Sequence, residues 1–215
     1  MAPESPPEFD ETFVEALDLL LRWRRDVRRF RPDPLPAGAL EALVARAALA
    51  PSVGNSQPWR FVRVADPARR AAVKAEFERC NAAALAGQDE ERAVRYAKLK
   101  LAGLDRAPEH LAVFCDDATT AGHGLGRATM PETLRYSAVG AVFALWLAAR
   151  ARGIGIGWVS ILEPAHVAAI LDVQRDWSLV AYLCVGWPET DSDTPELERA
   201  GWQARDPRAG EILAR

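Results

Sequence analysis

The chain has 215 residues, enough for one large domain, and its 49% hydrophobic and 27% charged residues mark an ordinary soluble globular protein. A net charge of −3 argues against a general nucleic-acid binder, although clustered arginines can still form a local cationic pocket. Cys80, Cys115 and Cys184 lie far apart without a CxxC pair, and His110, His123 and His166 form no HExxH pattern, so neither a disulfide framework nor a metal site is expected and a reducing cytoplasm is the default.

Residues 1–12 read as a flexible arm, rich in proline and acid and lacking the basic and apolar regions of a signal peptide. Phe13, Val14, Leu17, Leu20 and Leu21 recur at helical spacing. That helix is expected to run into Arg24-Arg25-Asp26-Val27-Arg28-Arg29 and to end at Pro32 and Pro34. On a helix Arg24, Arg25 and Arg28 would share a face able to grip a phosphate, or would form a solvated ion-paired surface. A second helix is expected over residues 36–50. The Pro, Ser, Gly and Asn of residues 50–59 then mark a tight loop whose Ser52, Asn55 and Gln57 can hydrogen-bond a ring edge or a phosphate. WRFVRV at 59–64 reads as a strand, residues 67–80 and the charged stretch 88–104 as helices, and HLAVFC at 110–115 as a short apolar strand. The Gly- and Thr-rich residues 116–131 have the length of a lid or binding loop.

Residues 133–152 form the longest predicted helix. Its uncharged run, 138–149, is too short to span a membrane, so the helix is expected in a core shared between two subunits. The glycines at 153, 155 and 157 follow a helix and precede a β-prone stretch, the reverse of a dinucleotide-binding fingerprint; they are read as ending the helix and letting the backbone approach something flat. Glu163-Pro164 starts a short helix, SLVAYLCV at 178–185 is a buried strand, and the tail 189–215 is read as wrapping a neighbouring subunit.

Three features converge: an arginine-rich segment, a Ser/Asn/Gln loop, and a glycine-rich segment that ends in Ser160. Phosphate grip, ring-edge donors and close backbone approach suit a flavin mononucleotide; no GxxxxGK[ST] loop is present and the set does not suit a metal.

RRDVRRF at 24–30, APSVGNSQPWRF at 50–61 and SLVAYLCVGWP at 178–188 resemble the nitroreductase-like flavoproteins. LKLAGLDRAPEHLAVFCD at 99–116 and GIGIGWVSIL at 153–162, with Asp26 and Ser160 inside their motifs, are similar more narrowly to the 5,6-dimethylbenzimidazole synthase branch. The resemblance covers residues 18–188. It implies an α+β fold, a central and mainly antiparallel sheet flanked by helices, assembled as an intertwined homodimer. It also implies a reaction that destroys its flavin: reduced FMN and O2 give 5,6-dimethylbenzimidazole, the lower ligand of cobalamin, and erythrose 4-phosphate, with reduced FMN supplied by a separate reductase.

The same resemblance assigns roles. Arg24, Arg25 and Arg28, with the Val27 backbone, would hold the phosphate and polar flavin edge. Ser52, Asn55 and Gln57 would bond the ribityl chain or ring, and Leu101 would belong to a water-excluding lid. Asp26 would move protons, and its arginine neighbours are expected to lower its pKa. Ser160 would lie near the reacting ring and relay a proton; with no basic partner it is not read as a nucleophile. An NAD(P)H-dependent nitroreductase or flavin reductase, or a non-enzymatic flavin-binding protein, are the alternatives; both would leave the flavin intact in air.

Overall fold

The computed structural model describes residues 6–86 and 102–215. In chain order the helices are α1 (Glu11–Trp23), α2 (Ala39–Ala47), α3 (Pro67–Ala86), α4 (Gly103–Arg106), α5 (Thr133–Arg150), α6 (Pro164–Leu171) and α7 (Glu196–Arg199). The strands are β1 (Trp59–Arg63), β2 (Glu109–Asp116), β3 (Gly155–Val159) and β4 (Trp177–Gly186). They form one sheet in the order β1-β2-β4-β3, every neighbouring pair antiparallel. The helix expected at 88–104 falls outside the described residues, except for its last turns in α4.

The central strands read as near-continuous apolar runs because helices cover both faces of the sheet. Side chains alternate between those faces. Leu111, Val113, Ala181, Leu183 and Val185 pack with Leu40 and Leu43 of α2 and with Val142, Leu145 and Ala149 of α5. Ala112, Phe114, Tyr182 and Cys184 point the other way, onto Val73 of α3, Val167 and Leu171 of α6, and Phe30. α5 therefore buries one side in this chain. Its other side displays Tyr136, Val139 and Phe143, 60%, 41% and 45% exposed. α1 starts one residue after its cap, where the Asp10 carboxylate accepts the Phe13 N–H at 2.9 Å, so the arm is shorter than residues 1–12. It buries no residue, although Phe13, Val14, Leu17 and Leu21 lie along it at helical spacing.

The arginine cluster is not helical. α1 ends at Trp23, and Arg24 is already extended. From there the chain adds itself to the free edge of β3. Asp26 bridges Ile156 in parallel, the Val27 N–H donates to the Ile156 carbonyl at 3.0 Å, and the Trp158 N–H donates to Asp26 Oδ1 at 2.9 Å. Phe30, fully buried, bridges Pro188 and closes the segment. An open sheet edge offers backbone partners that outweigh continuation of a helix through the poor helix formers Asp26 and Val27.

This pairing also explains the glycines of β3, which were expected to face a flat ligand. What approaches them is the chain itself: a Cβ on Gly155 would stand 2.7 Å from Val27 Cγ2, and one on Gly157 would collide with the Val27 carbonyl oxygen. Gly157→Ala is expected to push the arginine segment off β3 and to cost about 1–3 kcal/mol of stability, as overpacking does, measurable by urea unfolding.

Candidate active site

Extended backbone changes which arginines act together. With a two-residue period, Arg24, Asp26 and Arg28 share one side of the segment, and Arg25, Val27 and Arg29 the other. On the first side, Arg24 lies over the Trp146 ring, 4.8 Å from its centroid, and Arg28 Nε stands 3.5 Å from Asp26 Oδ2. On the second, Arg25 Nε donates to the Asp193 carbonyl at 2.7 Å. Trp146 of α5 also donates to the Arg25 carbonyl at 3.3 Å, which ties the segment to the helix. The Val27 N–H, expected to face the phosphate, is already engaged with Ile156.

Asp26 departs from the sequence-based expectation in sign. Burial raises its carboxyl pKa, and the repulsion of Glu196 adds to this; the Trp158 N–H and Arg28 oppose it without overcoming it. The Asp26 side chain is only partly buried, 36% exposed, and one N–H and one guanidinium at 3.5 Å do not cancel the cost of that partial burial. Such a carboxyl has its proton affinity moved toward the range in which a group both takes and releases a proton. Arg24 and Arg25 are shifted downward, first by burial, then Arg24 by Arg205 and Arg25 by Arg24 and Arg205. Arg205 of the tail adds to the positive field at both arginines and makes no ion pair among the described residues. Partly desolvated like charges of this kind fit a bound dianion such as a phosphate. Arg205 was missed in the sequence because it is a lone arginine far from any motif.

The Ser52–Gln57 loop is prebuilt. Gln57 N–H donates to Ser52 Oγ at 3.0 Å, and the Gln57 side-chain amide donates to the Asn55 carbonyl and Oδ1 at 3.0 and 2.7 Å. Gly54, Asn55 and Gln57 all have positive φ, and Gly54 packs so closely on Gly122 that a Cβ there would lie 2.7 Å from the Gly54 carbonyl oxygen. Residues 116–131 therefore brace this loop. The Gln57 side chain, exposed, is engaged within the loop; the Ser52 hydroxyl proton and the Asn55 amide are left for a ligand.

The loop and the arginine segment dock at different points along α5. The loop docks at the start of α5, where the Val53 N–H donates to Ser137 Oγ at 3.0 Å, whereas the arginine segment docks at Trp146. Nine residues of helix separate these anchors by about 14 Å. Ser160 follows β3 directly, exposed, two residues past the Trp158 that holds Asp26. Leu101 lies outside the described residues.

Residues 21–187 match the nitroreductase family. The chain belongs to that family. Within it, the chain is 62% identical over 201 residues to the 5,6-dimethylbenzimidazole synthase of Rhodospirillum rubrum, covering 94% of this chain and 95% of the relative. It is 52% identical over 199 residues to that of Rhodobacter capsulatus, covering 93% and 96%. Among solved structures, iodotyrosine deiodinase bound to FMN and 3-iodo-L-tyrosine shares the fold at a TM-score of 0.71 with 24% identity, over 93% of this chain and 97% of that one. The antiparallel sheet flanked by helices is thus the family's fold. No described helix is long and apolar enough to cross a membrane, and no cluster of metal-ligating side chains occurs among the described residues.

Because burial raises the Asp26 pKa, ionised Asp26 opposes folding, and its contribution to stability falls as pH rises through the folded pKa. Asp26→Asn keeps an acceptor for the Trp158 N–H and removes the desolvated charge. Urea unfolding at pH 7 is expected to find that variant at least as stable as the parent chain; a clear loss of stability would mean that ionised Asp26 holds the fold together.

Proposed function

We propose that this chain is a 5,6-dimethylbenzimidazole synthase, which takes reduced FMN and O2 to 5,6-dimethylbenzimidazole and erythrose 4-phosphate. The reading rests on the relatives of that name that align with almost the whole chain, and is supported by the Asp26 carboxyl, held by the Trp158 N–H with Arg28 beside it. Bound reduced FMN supplies the electrons that reduce O2 and the carbon atoms of both products.

The chain's own groups divide the remaining work. Arg24, Arg25 and Arg205 neutralise the phosphate. The Trp158 N–H fixes Asp26 Oδ1 and Arg28 lies beside Oδ2, and the carboxyl so oriented moves a proton to and from the breaking ring and sugar chain. The Ser52 hydroxyl and Asn55 amide donate to the ribityl chain or ring. Ser160 relays a proton at the end of β3, and Leu101 helps to exclude water. A separate reductase supplies reduced FMN, and the three free cysteines fit the reducing cytoplasm.

The chain acts as a homodimer. The uncovered stripe of Tyr136, Val139 and Phe143 on α5, and the unburied apolar side of α1, need a partner surface. Two copies packed about a two-fold axis, with their α5 helices antiparallel, bring the Ser52–Gln57 loop of one beside the arginine segment of the other, closing the gap left within one chain.

Chromatography after anaerobic loading with reduced FMN and exposure to air tests the reaction. The expected products are 5,6-dimethylbenzimidazole and erythrose 4-phosphate; recovery of intact oxidised flavin with hydrogen peroxide would instead indicate a flavin reductase or carrier. Asp26→Asn should bind flavin yet lose product by roughly 10²-fold, the scale of a general acid–base group. Light scattering at micromolar concentration should give the mass of two chains, and a stable monomer would remove the shared site.

A further inference from the structure

Arg60, the second residue of β1, reaches back toward the loop that precedes its strand. Its Nη1 donates to the carbonyls of Gln57 and Trp59 at 3.1 and 2.9 Å, and its Nη2 meets Asp116 Oδ2 at 2.6 Å. Asp116 ends β2 and is itself tied to the loop, because its N–H donates to the Pro58 carbonyl at 2.8 Å. The Trp177 ring at the start of β4 lies over the guanidinium, 5.9 Å from centroid to carbon. One side chain thus joins the end of the Ser52–Gln57 loop to three strands. The ion pair is sheltered, its two side chains 33% and 18% exposed.

The loop needs such a tie. Gln57 has a φ of 45°, in the left-handed region, and Pro58 follows it. A proline holds the residue before it to extended backbone, so this conformation is strained. Strain of this kind persists only where surrounding contacts over-determine it. The bonds from Gln57 to Ser52 and Asn55 join loop residues to one another, not to the sheet. Arg60 supplies the sheet-side hold on the strained residue, as the Ser137 hydroxyl supplies the α5-side hold on Val53.

We propose that Arg60 is a positioning residue for the flavin: anchored on Asp116, it holds the Gln57 and Trp59 carbonyls and so sets the loop backbone that presents Ser52 and Asn55 to the ligand. This inference rests on the flavin-binding role given to that loop above. The geometry also explains why the residue is arginine. A planar fork reaches a carboxylate with one nitrogen and two carbonyls with the other, whereas an ammonium is a single point of charge that does not span them.

Anaerobic calorimetric titration of the full-length protein with reduced FMN tests the proposal. Asn55→Ala removes a loop donor directly and should weaken binding. Arg60→Ala and Arg60→Lys should each weaken it by about tenfold or more, the scale of a hydrogen bond to a charged group. Arg60→Ala combined with Asn55→Ala should weaken it by clearly less than the product of the two single effects, because one acts through the other. Parent-like binding in folded Arg60→Ala, recovery in Arg60→Lys, or single effects that simply multiply would each overturn the proposal. A residue that only closed the sheet would lower stability in urea and leave the affinity unchanged. If the Arg60 variants do not fold, Asp116→Asn takes their place. It loosens the guanidinium from its anchor and should weaken FMN binding in the same sense; parent-like affinity there overturns the proposal. Parent-like binding in Asn55→Ala would remove the loop's flavin role and this inference with it, whereas weakened Asn55→Ala beside parent-like Arg60→Ala removes Arg60 alone.

Discussion

The pairing of Asp26 and Val27 with the free edge of β3, closed by the Phe30 bridge to Pro188, is the constraint from which the rest of the site follows. It sets a two-residue alternation on a segment with four arginines, and so divides them between Asp26 and the tail. It places the Trp158 N–H on Asp26 Oδ1 and removes the Val27 N–H from ligand binding. It requires glycine at 155 and 157, where the segment lies against the strand. Phe30 in the core and Trp146 on α5 then lock the segment, so its charged groups stand on a rigid frame.

Much of this frame was legible from local sequence, and the part that was not has a common cause. The apolar runs at 110–115 and 178–185 are β2 and β4 because continuous burial leaves a continuous signature. Pro164 starts α6 as its position implies. The arginine cluster was assigned to a helix because the periodicity of α1 runs up to it, and nothing nearby records that the edge of β3, some 130 residues later, offers a competing partner. The pKa of Asp26 was mistaken in direction for a related reason. Sequence neighbours count arginines, whereas the direction of the shift is set by burial, a product of the fold. Arg205 and Glu196 carry no local motif; only the return of the tail brings them to the segment.

Electrostatics give the site its character. Several guanidiniums lie on one short segment, and a partly buried carboxylate among them has Arg28 at 3.5 Å and no close, two-pronged partner. A fold selected for stability alone would relax these groups; their retention at the edge of the sheet is the pattern expected where charge must be presented to a ligand. The acids of the tail answer Arg29 and Arg150 around a cavity that Asp26 also lines.

The central claim is that one chain holds only half of each proposed site, because α5 keeps the Ser52–Gln57 loop and the arginine segment at different points along its length. Subunit complementation tests it most directly. Arg25→Ala and Asn55→Ala chains, each inactive as a pure dimer, would be combined and assayed for benzimidazole formation. If sites are built across the two-fold axis, each mixed dimer pairs an intact arginine segment with an intact loop at about one of its two sites, and activity returns. Mixed dimers that form but remain inactive would contradict the shared site and place both halves on a single chain.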